Sequence, residues 1–155
     1  MPTIEALLLE SHSTLGDFLS AIEAERQCLG GDVAALPETT QRKSALAARL
    51  AALEAQRDAA LVAKGFAAGR TGVESWLASL PGASGTGPRS TWISLLESAA
   101  KAKRDNELNG QLIAARLQQT QQALGVLLDE TADASTYGAD GQRSSGTGRR
   151  NLGSA

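Results

Sequence analysis

Apolar residues repeat every seven positions at the start of the chain, at Leu8, Leu15, Ile22 and Leu29. A second row, Ile4, Ser11, Phe18 and Glu25, runs beside it. Two rows interleaved by threes and fours are the mark of a helix packed in coiled-coil fashion. The pattern predicts a first helix from about Thr3 to Leu29. Thr3 serves as N-cap, Glu5 sits at the positive end of the helix dipole, and Gly30-Gly31 provides the stop. A second stripe, Leu46, Leu50, Leu53 and Leu61, predicts a helix from about Thr39 to Lys64, ended by Gly65. Val73, Trp76, Leu77 and Leu80 predict a short third helix from Thr71, where Thr71-Gly72-Val73-Glu74 fits a capping box. Pro81 to Pro88 is dense in Gly and Pro and predicts a loop. A fourth helix is expected from about Ser90 to Asp129, with a stripe through Trp92, Leu96, Ala99, Lys103, Asn106, Gly110, Ile113, Leu117, Thr120, Leu124 and Leu127. Residues 1–130 then form a helical domain, and 131–155, rich in Gly, Ser, Thr and Arg, a flexible tail.

Helix lengths carry the first functional inference. At ~1.5 Å per residue the first two helices span ~40 Å each and the fourth ~60 Å. A hairpin of that length leaves ~20 Å of the fourth helix uncovered. If Trp92, Leu96 and Ala99 dock on the hairpin, the uncovered stretch is roughly Leu112 to Leu128. It holds Leu112, Ile113, Leu117, Leu124, Val126, Leu127 and Leu128. An apolar stripe of this kind marks a surface for a partner, for a second copy of the chain, or, if the helix breaks and folds back, for the chain's own core.

Composition agrees with the helical reading. The apolar share is 42% and the aromatic share 3%, and Ala and Leu dominate the apolar set. Strands want β-branched and aromatic residues, whereas Ala and Leu are the strongest helix formers. The expected fold is all-α: an antiparallel helical hairpin, a short helix and a long C-terminal helix in a coiled-coil-like three-helix bundle. Charge is divided between the hairpin arms. Residues 1–36 carry six acids and Arg26, a net of −5, while 38–70 carry six bases and three acids, a net of +3. Complementary flanks favour pairing of the two arms. The whole chain, at −2, lacks the basic excess of a nucleic-acid binder.

Little in the sequence suggests catalysis. One Cys (Cys28) and one His (His12) cannot build a zinc cluster or an internal disulfide. Gly82 to Gly87 lacks the Lys-Ser/Thr ending of a phosphate-binding loop. No apolar run reaches the ~20 residues that span a bilayer, and the N-terminus lacks a basic signal region. The expectation is a cytoplasmic protein that is not an enzyme, with no cofactor, metal, nucleic acid or membrane insertion.

Two short motifs then narrow the field. Asn106-Glu107-Leu108-Asn109-Gly110-Gln111-Leu112-Ile113 resembles the Asn-x-x-Asn-Gly-x-Leu-Ile signature of the FlgN-type flagellar export chaperones. Thr136-Tyr137-Gly138-Ala139-Asp140-Gly141-Gln142 resembles the Tyr-Gly-x-Asp-Gly-Gln ending of that family, with Ala139 where Pro is common. The helix order is also similar. This resemblance implies a chaperone of flagellar type III secretion that keeps hook-filament junction proteins unassembled and delivers them to the export gate. It assigns binding of the clients' C-terminal helical segments to Leu112, Ile113, Leu117, Leu124, Leu127 and Leu128. Asn106, Asn109 and Gly110 are further candidates, with a purely structural role for Asn109-Gly110 as the competing reading. Docking on the cytoplasmic domain of the export gate falls to Tyr137, Gly138, Asp140 and Gly141. The alternative function is a self-associating coiled-coil structural or adaptor protein.

Overall fold

The computed structural model describes residues 2–136, with side chains for all of these except 83, 84 and 130–136. The elements run α1 (Ile4–Gly30), a 3-10 turn (Val33–Ala35), α2 (Leu36–Ala63), α3 (Gly69–Ser79) and α4 (Gly82–Thr136). The fold is all-α, as the heptad pattern predicts. The chain divides into two compact units, Met1–Ile113 and Ala114–Ala155. The first contains the hairpin, α3 and the beginning of α4. The second is described up to Thr136, all of it helix.

Both rows of α1 face inward. Ile4, Leu8, Leu15, Ile22 and Leu29 are at most 5% exposed, and the polar members Ser11 and Glu25 are buried with them. Thr3 caps the helix as expected, its Oγ1 accepting from Ala6 N–H at 3.1 Å. From α2 come Leu53, Ala60 and Leu61, with Leu50 at the margin. Salt bridges join the arms, Glu10 to Arg49 and Glu25 to Lys43, so the opposed flank charges do meet. Exposed pairs such as Glu10–Arg49 contribute about 0–1 kcal/mol each.

The start of α2 departs from expectation, and its stop at Gly65 does not. The helix begins at Leu36 instead of Thr39, because Pro37 stands in its first turn, where no N–H is needed. It closes in a Schellman turn: Phe66 N–H donates to Leu61 O at 3.0 Å, and Gly65 N–H to Val62 O at 2.9 Å. Gly65 has φ +84°, a region open to Gly at little cost.

The capping box expected at Thr71 does not form. α3 starts at Gly69, which places Thr71 inside the helix and turns Glu74 to Arg70 Nε at 2.7 Å. The cap comes from another element, since Asp58 of α2 accepts Gly69 N–H at 3.1 Å. Gly72 is required by packing. A Cβ there would stand 1.7 Å from Ala67 O, and Leu61 Cδ1 lies 3.4 Å away. This close approach lets Val73, Trp76 and Leu77 join the core cluster of α1 and α2.

Residues 81–88, expected as a loop, are helical from Gly82, and Pro88 lies inside α4. Gly85 N–H donates to Pro81 O at 2.9 Å, which opens the helix. Pro88 is buried, and its neighbour Arg89 reaches back to the end of α3, donating to Leu77 O at 2.8 Å. Burial of the ring and this tie between helices offset the one backbone bond that Pro removes. At its other end α4 runs on to Thr136, past the predicted boundary at Asp129, so 131–136 are helix and not tail.

The inward face of α4 is also turned by one position. Trp92, Leu95, Ala102 and Asn109 are buried; Leu96 is half-buried, and Ala99, Lys103, Asn106 and Gly110 are exposed. The stripe predicted through Leu96, Ala99, Lys103 and Gly110 is therefore not the seam. Leu95, Ala102 and Asn109 lie seven apart and form one line down the helix. The polar member of that line, Asn109, is fully buried.

Candidate functional site

Glu25 of α1 is 0% exposed, as is Asn109 of α4. An ionised carboxylate in such a place must be paired and hydrogen-bonded, or its burial becomes prohibitive. Lys43 of α2 supplies the charge, with Nζ 2.9 Å from Oε1 and 2.8 Å from Oε2. Thr40 Oγ1 donates to Oε1 at 3.3 Å. Asn109 Nδ2 donates to Oε2 at 2.9 Å and to Ile22 O at 2.8 Å. The remaining end of the amide, Asn109 Oδ1, accepts from Arg26 Nε at 3.1 Å. Lys43 also donates to Asn106 Oδ1 at 2.9 Å. Arg26 lies 3.7 Å from Asp105, which is paired in turn with Lys101.

This node ties α1, α2 and α4 through their polar groups. Burial pushes the Glu25 carboxyl up, but hydrogen bonds from Lys43, Asn109 and Thr40, with the Lys43 charge, outweigh it. The net result holds Glu25 below the ordinary glutamate value. Asp105 is lowered too, chiefly by the hydrogen bond from Lys101, against an upward push from burial, with the charges of Lys101 and Arg26 adding to the decrease.

The two asparagines of the signature stretch thus work inside the first unit. Asn109 has no exposed surface to offer, and Asn106 is engaged with Lys43. Gly110 is exposed, and a Cβ there would meet nothing within 4 Å. The sequence reading named Asn109 but missed Glu25, Lys43, Thr40 and Arg26 as its partners. The one signal available was Glu25 itself, an acid standing in an inward heptad row.

Beyond Asn109 the surface changes character. At the end of the first unit Leu112 is 40% exposed and Ile113 38%. In the second unit every described side chain from 114 to 129 is exposed, including Leu117 at 59%, Leu124 at 56% and Leu127 at 58%. At ~100° per residue, Leu117, Leu124, Leu127 and Leu128 fall within about 100° of arc. They form an apolar face on one side of the helix. Thr120 falls within the same arc, and Gln118, Gln119 and Gln122 lie outside it. Tyr137, Gly138, Asp140 and Gly141 lie outside the described residues, as do the tail arginines.

An open groove of about 340 Å³ lies within the first unit. Leu15, Leu50, Trp92, Leu95 and Leu96 line it, and the Arg57 guanidinium stacks over the Trp92 ring at 5.8 Å. Its polar lining comes from Ser11, Glu54, Arg57 and Arg70. His12 is exposed on α1 and Cys28 half-buried. Among the described residues no cluster of His, Cys, Asp and Glu could hold a metal ion. Among them, too, no helix is long and apolar enough to cross a membrane.

A protein-family model described as FlgN protein matches residues 1–145. No curated protein matches the chain, and no solved structure does.

Proposed function

The chain belongs to the FlgN family, and from that premise we propose that it captures hook-filament junction proteins on the exposed apolar face of α4 and delivers them to the export gate. Membership implies a flagellar export chaperone that binds hook-associated proteins. The observation that carries the finer reading is the exposure of Leu117, Leu124 and Leu127 on one side of a helix. An amphipathic helix with its apolar side open to water is a ready partner for another helix. Leu112 and Ile113, exposed at the end of the first unit, and Leu128 complete the set assigned to the client.

The client's terminal segments are helical stripes that pair with other subunits once assembled. Covered by a stripe of the same kind, they are kept from pairing early. Apolar burial contributes ~25 cal/mol per Å², most of it offset by the cost of ordering two chains. The balance is an association tight enough to protect and loose enough to reverse, so release needs no energy-consuming site on the chaperone. Tyr137, Gly138, Asp140 and Gly141 are the proposed contact with the cytoplasmic domain of the export gate. An aromatic among small and acidic residues is a compact anchor for such docking.

The test is capture of a purified junction protein, followed by calorimetry, together with the mass of the free chain in solution. Leu117→Asp with Leu124→Asp is expected to weaken capture by about tenfold or more while helix content and melting temperature hold. A stable dimer dissolved by the same pair, with no capture by the parent chain, would instead establish the self-associating adaptor. Tyr137→Ala is expected to weaken gate binding alone. Equal loss of client and gate would overturn the division between helix and tail.

A further inference from the structure

We propose that the buried Glu25–Lys43–Asn109 node is a register lock, which stops the hairpin from burying part of the client-binding surface of its own α4. The client half of this inference rests on the function proposed above; the register half does not.

Two lines of side chains on α4 compete for the hairpin. The line in use is Trp92, Leu95, Ala102 and Asn109. Advancing the helix by four residues would seat Leu96, Ala99, Asn106 and Ile113 in the same four places. That is a displacement of ~6 Å, about one turn. Each line offers three apolar residues and one asparagine, so a count does not separate them, although the line in use seats the larger Trp92 and Leu95 where the other would seat Leu96 and Ala99. The beginning of α4 could accommodate the shift, because Gly82, Gly85, Gly87 and Pro88 are the poorest helix formers there and a turn can be given up at modest cost.

The node adds a polar discrimination to that of side-chain size. Glu25 Oε2 receives one of its two hydrogen bonds from Asn109, and Ile22 O and Arg26 Nε use the rest of the same amide. An amide both donates and accepts at this short reach, which neither Ile nor Leu can do. With Ile113 in that place, a fully buried carboxylate would lose a donor and Arg26 an acceptor. Buried polar side chains in helical seams select register in this way, at some cost in stability. The consequence is that Leu112 and Ile113 stay at the surface, 40% and 38% exposed, and available to another chain.

The experiment uses the full chain with Cys28→Ser and spin labels at Glu5 on α1 and Lys103 on α4, both exposed positions well separated along the helix axes. The parent protein is expected to give a single narrow distance. The apolar triple Glu25→Leu, Lys43→Met, Asn109→Leu is expected to add a second distance, shifted by about 5 Å. Its capture of purified junction protein is expected to fall about fivefold or more. Glu25→Gln keeps an acceptor for the Asn109 amide, and is expected to retain the single distance and the capture. Asn109→Ala provides the same distance readout should the triple variant not fold. A single unshifted distance in the apolar variant would overturn the lock. A shifted distance with undiminished capture would overturn its link to the client surface. Failure of the parent chain to capture any junction protein would sink the functional proposal and the client half together, and the distances would still decide the register.

Discussion

Leu95 and Leu117 are both leucines on α4, and each stands in a periodic apolar row. One is 7% exposed and the other 59%. In the first unit α4 meets a hairpin that offers Ile4, Leu8, Leu15 and Leu61, and its leucines complete a core. In the second unit the described residues are one helix, and a lone helix has no inside. Helical periodicity records that a face is meant to be covered; it does not say by what. Where no described residue covers it, the same pattern is the binding surface proposed above.

The sharpest way to break this comparison is to truncate a leucine in each region. Leu8→Ala, at a fully buried site, is expected to cost about 3 kcal/mol in urea unfolding. Leu117→Ala is expected to stay within ~0.5 kcal/mol. Equal losses would mean that the second unit has a core of its own in solution. The glycines allow a second contrast. Gly72→Ala should destabilise by about 1–3 kcal/mol, because its methyl would overlap Ala67 O, a backbone atom that cannot swing away.

Acid titration isolates the polar node from the apolar core. The folded Glu25 carboxyl lies below its ordinary value, so its contribution is present at neutral pH. It is lost as pH falls through the usual glutamate range and on through the depressed folded value. Lys43 and Arg26 are the cations facing this region, and Asp105 with its partner Lys101 stands beside it. Melting temperature should fall more steeply below about pH 5 in the parent chain than in Glu25→Gln. Parallel curves would show that the buried pair adds nothing to the acid response. The smallest effect is expected from Gly110→Ala, a gain of up to ~1 kcal/mol at an open, exposed helical position. A loss there would reveal a bend or contact that the helix needs.

Much of the fold can be read from the chain in advance. The heptad rows of α1, the Thr3 cap and the stop at Gly65 are local in origin, and local chemistry suffices for them. The misreadings share a cause. Thr71 and Glu74 fit a capping box, but Asp58, eleven residues before Gly69, takes the role. Gly82 to Pro88 is a poor helix by propensity, yet burial of Pro88 and the reach of Arg89 to Leu77 hold it helical. In both cases contacts from another element outweigh a local preference, which in the second is about 1 kcal/mol for each glycine and about 3 for the proline.

The candidate site divides along the same line. The leucines from Leu112 to Leu128 are legible because an apolar stripe longer than its hairpin stands out in one dimension. The inward line of α4 is not legible, because neighbouring lines along a helix differ by one residue and nearly balance in apolar count. The sequence by itself determined the helices, the pairing of an acidic arm with a basic one, and the presence of an apolar stripe without a counterpart in the hairpin. Only the tertiary structure decided which face of α4 turns inward. That choice brings together a carboxylate on α1, an ammonium on α2 and an amide on α4, and a buried charge accepts no arrangement that leaves it a hydrogen bond short.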